Sequence, residues 1–147
     1  MRRMPGAERE LVESYFRACS HGEAPSIARH FHDDAVVYDT NHAPVRGAEQ
    51  IGRFYAAVAR RWSGATWHVD TFLADSSGAA ASEWTMAAPG AGVLIRGSEH
   101  YEIRAERISQ IRQYWTFDPD DPGTALRDFP YPADGRFWPP TTREDTA

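Results

Sequence analysis

The chain has 147 residues, 41% of them apolar and 12% aromatic, with five tryptophans, one cysteine and a formal charge of −5. That is enough for one domain with its own core, which excludes a disordered chain and one that depends on disulfide staples. The acidic balance offers no cationic field to a phosphate backbone, so no nucleic acid partner is expected, and the single Cys19 can form neither an intrachain disulfide nor a cysteine metal site.

In chain order, MRRMPGAERE carries arginines with no apolar run behind them, so it does not read as a signal peptide. No window approaches the roughly eighteen apolar residues of a membrane span. A soluble, cytoplasmic protein without a membrane partner is the expectation. Residues 5–20 predict a first helix: Pro5 suits an early helical position, Leu11, Tyr15 and Ala18/Cys19 recur at helical spacing, and Gly22 can end it. Cys19 then reads as a small buried residue. Residues 24–31 predict a short second helix with Ile27 and Phe31 on one face, HDD at 32–34 a turn, and residues 35–39 a strand ending on an acid, Asp39. Residues 47–62 give the clearest helical stripe, Ile51, Phe54/Tyr55, Val58 and Trp62, with Arg60 and Arg61 at its end as complements to the helix dipole.

After Gly64 the pattern turns to period two. Residues 66–74, 79–87, 93–104 and 107–117 predict strands, separated by DSSG, APGAG and a tight AE turn. Helices followed by a meander imply an α+β fold, three N-terminal helices packed in a curved, mostly antiparallel sheet that makes a cone-shaped α+β barrel with an open mouth. The domain is expected over residues 1–118. Residues 119–147 form a Pro-rich tail without regular structure, which Leu126, Phe129, Tyr131, Phe137 and Trp138 could dock onto the body.

Alternation along the strands assigns the inward side chains. Trp84 and Met86 face in, leaving Glu83 and Thr85 to solvent; the inward set with Tyr101 and Ile103 includes Glu99; Ile111, Gln113 and Trp115 face in; and Asp39 shares a face with Ala35 and Val37. Two carboxyls, Asp39 and Glu99, thus point into one aromatic-lined hollow, to which Tyr15 on the first helix can add a hydroxyl. Burial tends to separate such a pair into an ionised base and a protonated donor. That division suits proton abstraction beside a carbonyl, with the neutral acid and the phenol holding the enolate oxygen. Each residue also has a plainer reading: Tyr15 as core, Asp39 as a loop-capping acid, Glu99 as the partner of Arg112 or Arg96. His42 is placed at the mouth, His68 on the other side of its strand, and His21, His30 and His32 near helix ends in solvent. No metal site is expected.

The set LVESYFRAC, IARHFHDDAVVYDT, RGAEQIGRFYAAV, SEWTM, RGSEHYEIR and ISQIRQYW resembles the nuclear transport factor 2-like superfamily and, within it, SnoaL-like polyketide cyclases and ketosteroid isomerases. The resemblance spans residues 8–117. It implies Asp39 as base, Tyr15 and Glu99 as oxyanion donors, and Phe54, Trp84, Tyr101 and Trp115 as pocket walls, with Glu99 standing where the isomerases carry Asp. With Met86, Gln113 and His42 these complete the expected site. The pKa tuning invoked is a worked example of that isomerase family. The expected function is a small cofactor-independent enzyme that isomerises or cyclises an apolar carbonyl or polyketide-like substrate through an enolate, in a homodimer formed through the outer sheet face. The alternative is a non-catalytic small-molecule-binding or dimeric interaction module of the same fold. Epoxide hydrolysis would need an inward arginine, and the facing pattern supplies none.

Overall fold

In the computed structural model, which describes residues 6–118, 120 and 123–138, helix α1 runs Ala7–His21 and stops at Gly22, whose positive φ of 74° allows its N–H to reach back to the Ala18 carbonyl. Helix α2 spans only Ala24–Ala28, because Phe31 already opens strand β1, Phe31–Asp39. The HDD segment is therefore strand rather than turn. An irregularity in the β1 register between Phe31 and Val36 lets Asp33 and Asp34 face solvent, where Arg104 pairs Asp34 at 3.0 Å.

A two-residue strand β2, Val45–Arg46, pairs with β1, and helix α3, Ala48–Arg61, follows. Gly52 lets α3 cross α2 closely: a Cβ there would lie 2.4 Å from the Ala24 carbonyl oxygen. Strands β3, Thr66–Ala74, β4, Ala79–Ala88, β5, Val93–Arg104, and β6, Arg107–Tyr114, form the meander. Ala105 and Glu106, both at positive φ, make the two-residue turn between β5 and β6. The sheet order is β2-β1-β6-β5-β4-β3, antiparallel except for β1 beside β6. That parallel pair is possible because α3 and the meander supply a long crossover between the two strands. The result is a curved, unclosed sheet with the three helices in its concavity, and the core runs through Val12, Phe16, Ile27, Val37, Ile51 and Ile111.

The tail has more structure than its composition predicts. Strand β7, Gly123–Thr124, pairs parallel to β5 at Leu94–Ile95, where β5 extends past the end of β6. A 3₁₀ turn follows at Tyr131–Ala133, Phe137 is buried, and the Trp138 ring stacks on His68 at 4.3 Å. Leu126 stays exposed. This docking corrects the expectation that Thr85 faces water. Thr85 does point to the outer face, yet it is 0% exposed, with its hydroxyl on Asp70 at 2.5 Å and the Arg96 guanidinium on it at 2.6 Å. Tyr131 covers Arg96 at 4.2 Å, and the Trp138 N–H caps Asp70 at 3.1 Å. Expectations for Pro5 and for the tail past Trp138 lie outside the described residues. Among the described residues no helix is long and apolar enough to cross a membrane.

Candidate active site

Strand register turns the alternation pattern into a site. Ser82 pairs with Glu99, Glu99 with Gln113, and Gln113 with Asp39, so four polar side chains form one row across β4, β5, β6 and β1 on the inner face. The row on one side of it is Ala80, Tyr101, Ile111 and Val37; on the other side Trp84 opposes Gly97 and Met86 opposes Ile95. Gly97 is needed where it stands, because the Trp84 ring lies across it and a Cβ would come within 2.5 Å of Trp84 Cζ2. The row is thus bracketed by apolar surface.

A cavity of about 360 Å³ opens beside this row. Asp39, His42 and Gln113 line it with polar side chains, and Phe54, Trp84, Met86 and Trp115 are among its walls. Tyr15, Glu99 and Tyr101 do not line it; each is 1% exposed, packed behind the cavity wall. Tyr55 is the polar wall residue that sequence reasoning passed over, although its place beside Phe54 on the α3 stripe signalled it. Arg61 at the rim corrects the expectation that no arginine turns toward the hollow. A larger cavity of about 480 Å³ lies partly under the tail, against Asp70, Arg96, Tyr131 and Phe137. Its buried Asp70 and partly buried Arg96 are satisfied by each other and by Thr85, so the inner cavity is the better candidate for chemistry.

Asp39 has a side chain only 2% exposed and is held from three sides. Its Oδ1 accepts the Asn41 N–H at 2.7 Å, its Oδ2 accepts the Trp115 indole N–H at 2.8 Å, and His42 Nε2 stands 3.3 Å from Oδ2. His42 Nδ1 lies 2.8 Å from the Ala43 carbonyl oxygen, a contact that fixes the ring beside Asp39. The polar cluster after β1 has a structural task too: Thr40 and Asn41 donate to the Trp115 carbonyl at 2.6 and 3.0 Å and so fix the ring that holds Asp39.

Glu99 differs from Asp39 in its surroundings. Burial pushes its pKa up to about 8, a hydrogen bond from the Tyr101 hydroxyl works against that, and the Asp39 charge adds to it. Glu99 is therefore protonated at neutral pH. Neither arginine proposed as its partner reaches it: Arg112 pairs with Glu102 at 3.2 Å, and Arg96 serves Thr85 on the outer face. Tyr101 also meets Ser82 Oγ at 2.7 Å, and Tyr55 donates to Gln113 Oε1 at 3.2 Å. The Tyr15 ring packs edge-on to Tyr55 at 5.8 Å, so Tyr55 stands between Tyr15 and the cavity. Burial raises the pKa of all three phenols, which keeps them neutral donors. The Trp84 indole N–H is buried without an acceptor among the described residues. Of the remaining histidines, His68 lies under Trp138 as its facing predicts, whereas His30 is half-buried against Ser14 at 2.8 Å rather than solvated.

Comparison with known proteins follows the same lines. A protein of unknown function with a cystatin-like fold from Methylobium petroleophilum PM1 is 25% identical, with a TM-score of 0.71 over 87% of this chain and 89% of that one. A protein with a ketosteroid isomerase-like fold from Catenulispora acidiphila DSM 44928 is 17% identical, TM-score 0.65, over 73% and 85% of the two chains. An NTF2-like protein of unknown function from Cytophaga hutchinsonii ATCC 33406 is 14% identical, TM-score 0.62, over 82% and 96%. Among curated proteins none is significantly similar to the chain. The SnoaL-like domain model matches residues 12–111, most of the helices and sheet described above, and the chain belongs to the SnoaL-like domain family.

Proposed function

We propose that the protein is a cofactor-independent enzyme that removes a proton from a carbon next to a carbonyl and returns or redirects the resulting enolate, as an isomerase or a polyketide-type cyclase does. The observation that carries this reading is Asp39, a nearly sealed carboxylate gripped by Asn41 and Trp115 and opening on an otherwise largely apolar cavity of about 360 Å³. Asp39 takes the C–H proton, the C–H electron pair moves into the carbonyl, and the oxygen becomes an enolate. Tyr55 lines the cavity, and its hydroxyl turns from Gln113 to that oxygen. Tyr15 backs Tyr55, and neutral Glu99 keeps a second negative charge out of the row. In this assignment Tyr15 and Glu99 act behind the wall rather than as the direct donors that the family resemblance implies.

The test is deuterium wash-in at the methyl group of acetylnaphthalene. Asp39→Asn should lower the exchange rate by about 10²–10⁴-fold, the usual contribution of a positioned general base, with affinity little changed. Exchange that persists in Asp39→Asn sinks the reading. The packing of Tyr15 and Glu99 behind the wall favours one alternative, a cavity that binds an apolar molecule without reacting. In that case the wild type would show no exchange, and Trp84→Ala would cost affinity alone. We propose that a homodimer forms through the strip of outer sheet around Tyr38 and Tyr114, which remain exposed; sedimentation should show a dimer that Tyr114→Asp dissociates.

A further inference from the structure

The inner cavity is not electrically uniform along its length. It follows the face of α3 made by Phe54, Tyr55, Val58, Arg61 and Trp62. The Phe54 ring touches His42 at 4.5 Å, which sets Phe54 at the Asp39 end. Seven residues on, at 1.5 Å of rise each, Arg61 stands about 10 Å further along the helix axis. Beyond Tyr55 the wall between them is apolar on α3, where Val58 lines the cavity, and Ile95 and Met86 of the sheet line it too. Arg61 is the one arginine or lysine among the described residues that line this cavity. Its guanidinium lies over the Trp62 ring at 5.4 Å, and among the described residues it has no carboxylate at ion-pair distance. The dipole at the end of α3 accounts for a cation there, but Arg60 supplies one equally well from outside the cavity.

From this we infer that the ligand carries an anionic group, a carboxylate or its equivalent, at the end of its apolar body remote from the reactive carbonyl, and that Arg61 binds it at the mouth. The inference rests on reading the inner cavity as the ligand site and names the substrate class for it. The polarity fits only one way round. An anion beside Asp39 would meet a second negative charge, whereas one at the rim meets a planar donor suited to bidentate contact and already oriented on an aromatic face. A body the length of a fused bicyclic ring spans the two ends. A wholly neutral ligand would leave Arg61 without a role in recognition.

The experiment uses two probes of one shape, an acetylnaphthoic acid with its groups at opposite ends and the matching neutral carboxamide. Binding is followed by quenching of tryptophan fluorescence, since Trp62, Trp67, Trp84 and Trp115 line the cavity. The wild type should bind the acid about three- to tenfold more tightly than the amide, the range expected of a partly exposed charge pair. Arg61→Gln should bring that ratio to about one with amide affinity unchanged. Arg60→Gln, which removes the same charge from the same helix end, should keep the wild-type ratio. Equal affinity for the two probes in the wild type, an unchanged ratio in Arg61→Gln, or failure of the acid to bind overturns the inference. Because binding is read without turnover, it separates from the acid–base reading: Asp39→Asn should retain the acid preference while losing deuterium exchange.

Discussion

Asp39 and Glu99 stand in one row across the sheet with Gln113 between them, two strand spacings or about 10 Å apart, and the Asp39 charge adds to the burial that holds the Glu99 proton. Their environments separate their roles. Asp39 accepts two N–H donors and faces the cavity, whereas Glu99 receives one phenol and is sealed behind the wall.

The burial of Glu99 makes stability depend on pH. Its folded pKa of about 8 lies above the ordinary value of 4.5, so the native state holds a proton that the unfolded chain releases between these values. The stabilisation is complete below pH 4.5 and is lost as pH rises through about 8, at up to about 1.4 kcal/mol per unit for one group. Glu99→Gln cannot ionise and should flatten that decline. Urea unfolding at pH 5 and pH 8 checks it, and an identical decline in both proteins would exclude Glu99 as its source.

Trp115→Phe keeps an aromatic wall but removes the indole N–H from Asp39 Oδ2, leaving the Asn41 contact in place. A hydrogen bond to a charged acceptor is worth about 1.5–3 kcal/mol, so with the carboxylate less firmly held the exchange rate should fall by about tenfold or more. An unchanged exchange rate would mean that the base in the reaction is not the group Trp115 holds.

Gly97→Ala places a methyl 2.5 Å from Trp84 Cζ2 and 2.9 Å from Trp115 Cβ. Neither ring can move without entering the cavity or straining the sheet. Thermal or urea unfolding should show a loss of about 1–3 kcal/mol, the usual cost of overpacking, together with weaker ligand binding. Full stability with wild-type affinity would show that Trp84 has room the structure does not indicate.

Phe137→Ala should release the tail from the outer face without touching the site. Phe137 is buried beside Tyr131 at 5.0 Å and beneath Arg96, and it does not line the inner cavity. Trypsin cleavage at Arg127 and Arg136 should accelerate about tenfold, equivalent to about 1.4 kcal/mol of lost docking, with cavity affinity held within about twofold. Fluorescence titration beside the digest would reveal any coupling between the faces.

Much of the frame was legible because it depends on local rules. The bounds of β3 and β5 follow from period-two alternation between turn signals, and the same parity sends Asp39, Trp84, Glu99 and Gln113 inward. Less legible were features made by distant segments: the HDD residues drawn into β1, the β7 pairing, and the burial of Thr85 under the tail. Arg61 was visible as a helix-end cation, but nothing near it in sequence says that a cavity ends there.

By itself the sequence determined which side chains share a face, since that follows from backbone geometry a few residues at a time. Only the tertiary structure decided which of those side chains stand at the same level and which reach open space. Register and depth come from packing between segments far apart in the chain, and that packing left Asp39 on the cavity and put Tyr15 and Glu99 behind its wall.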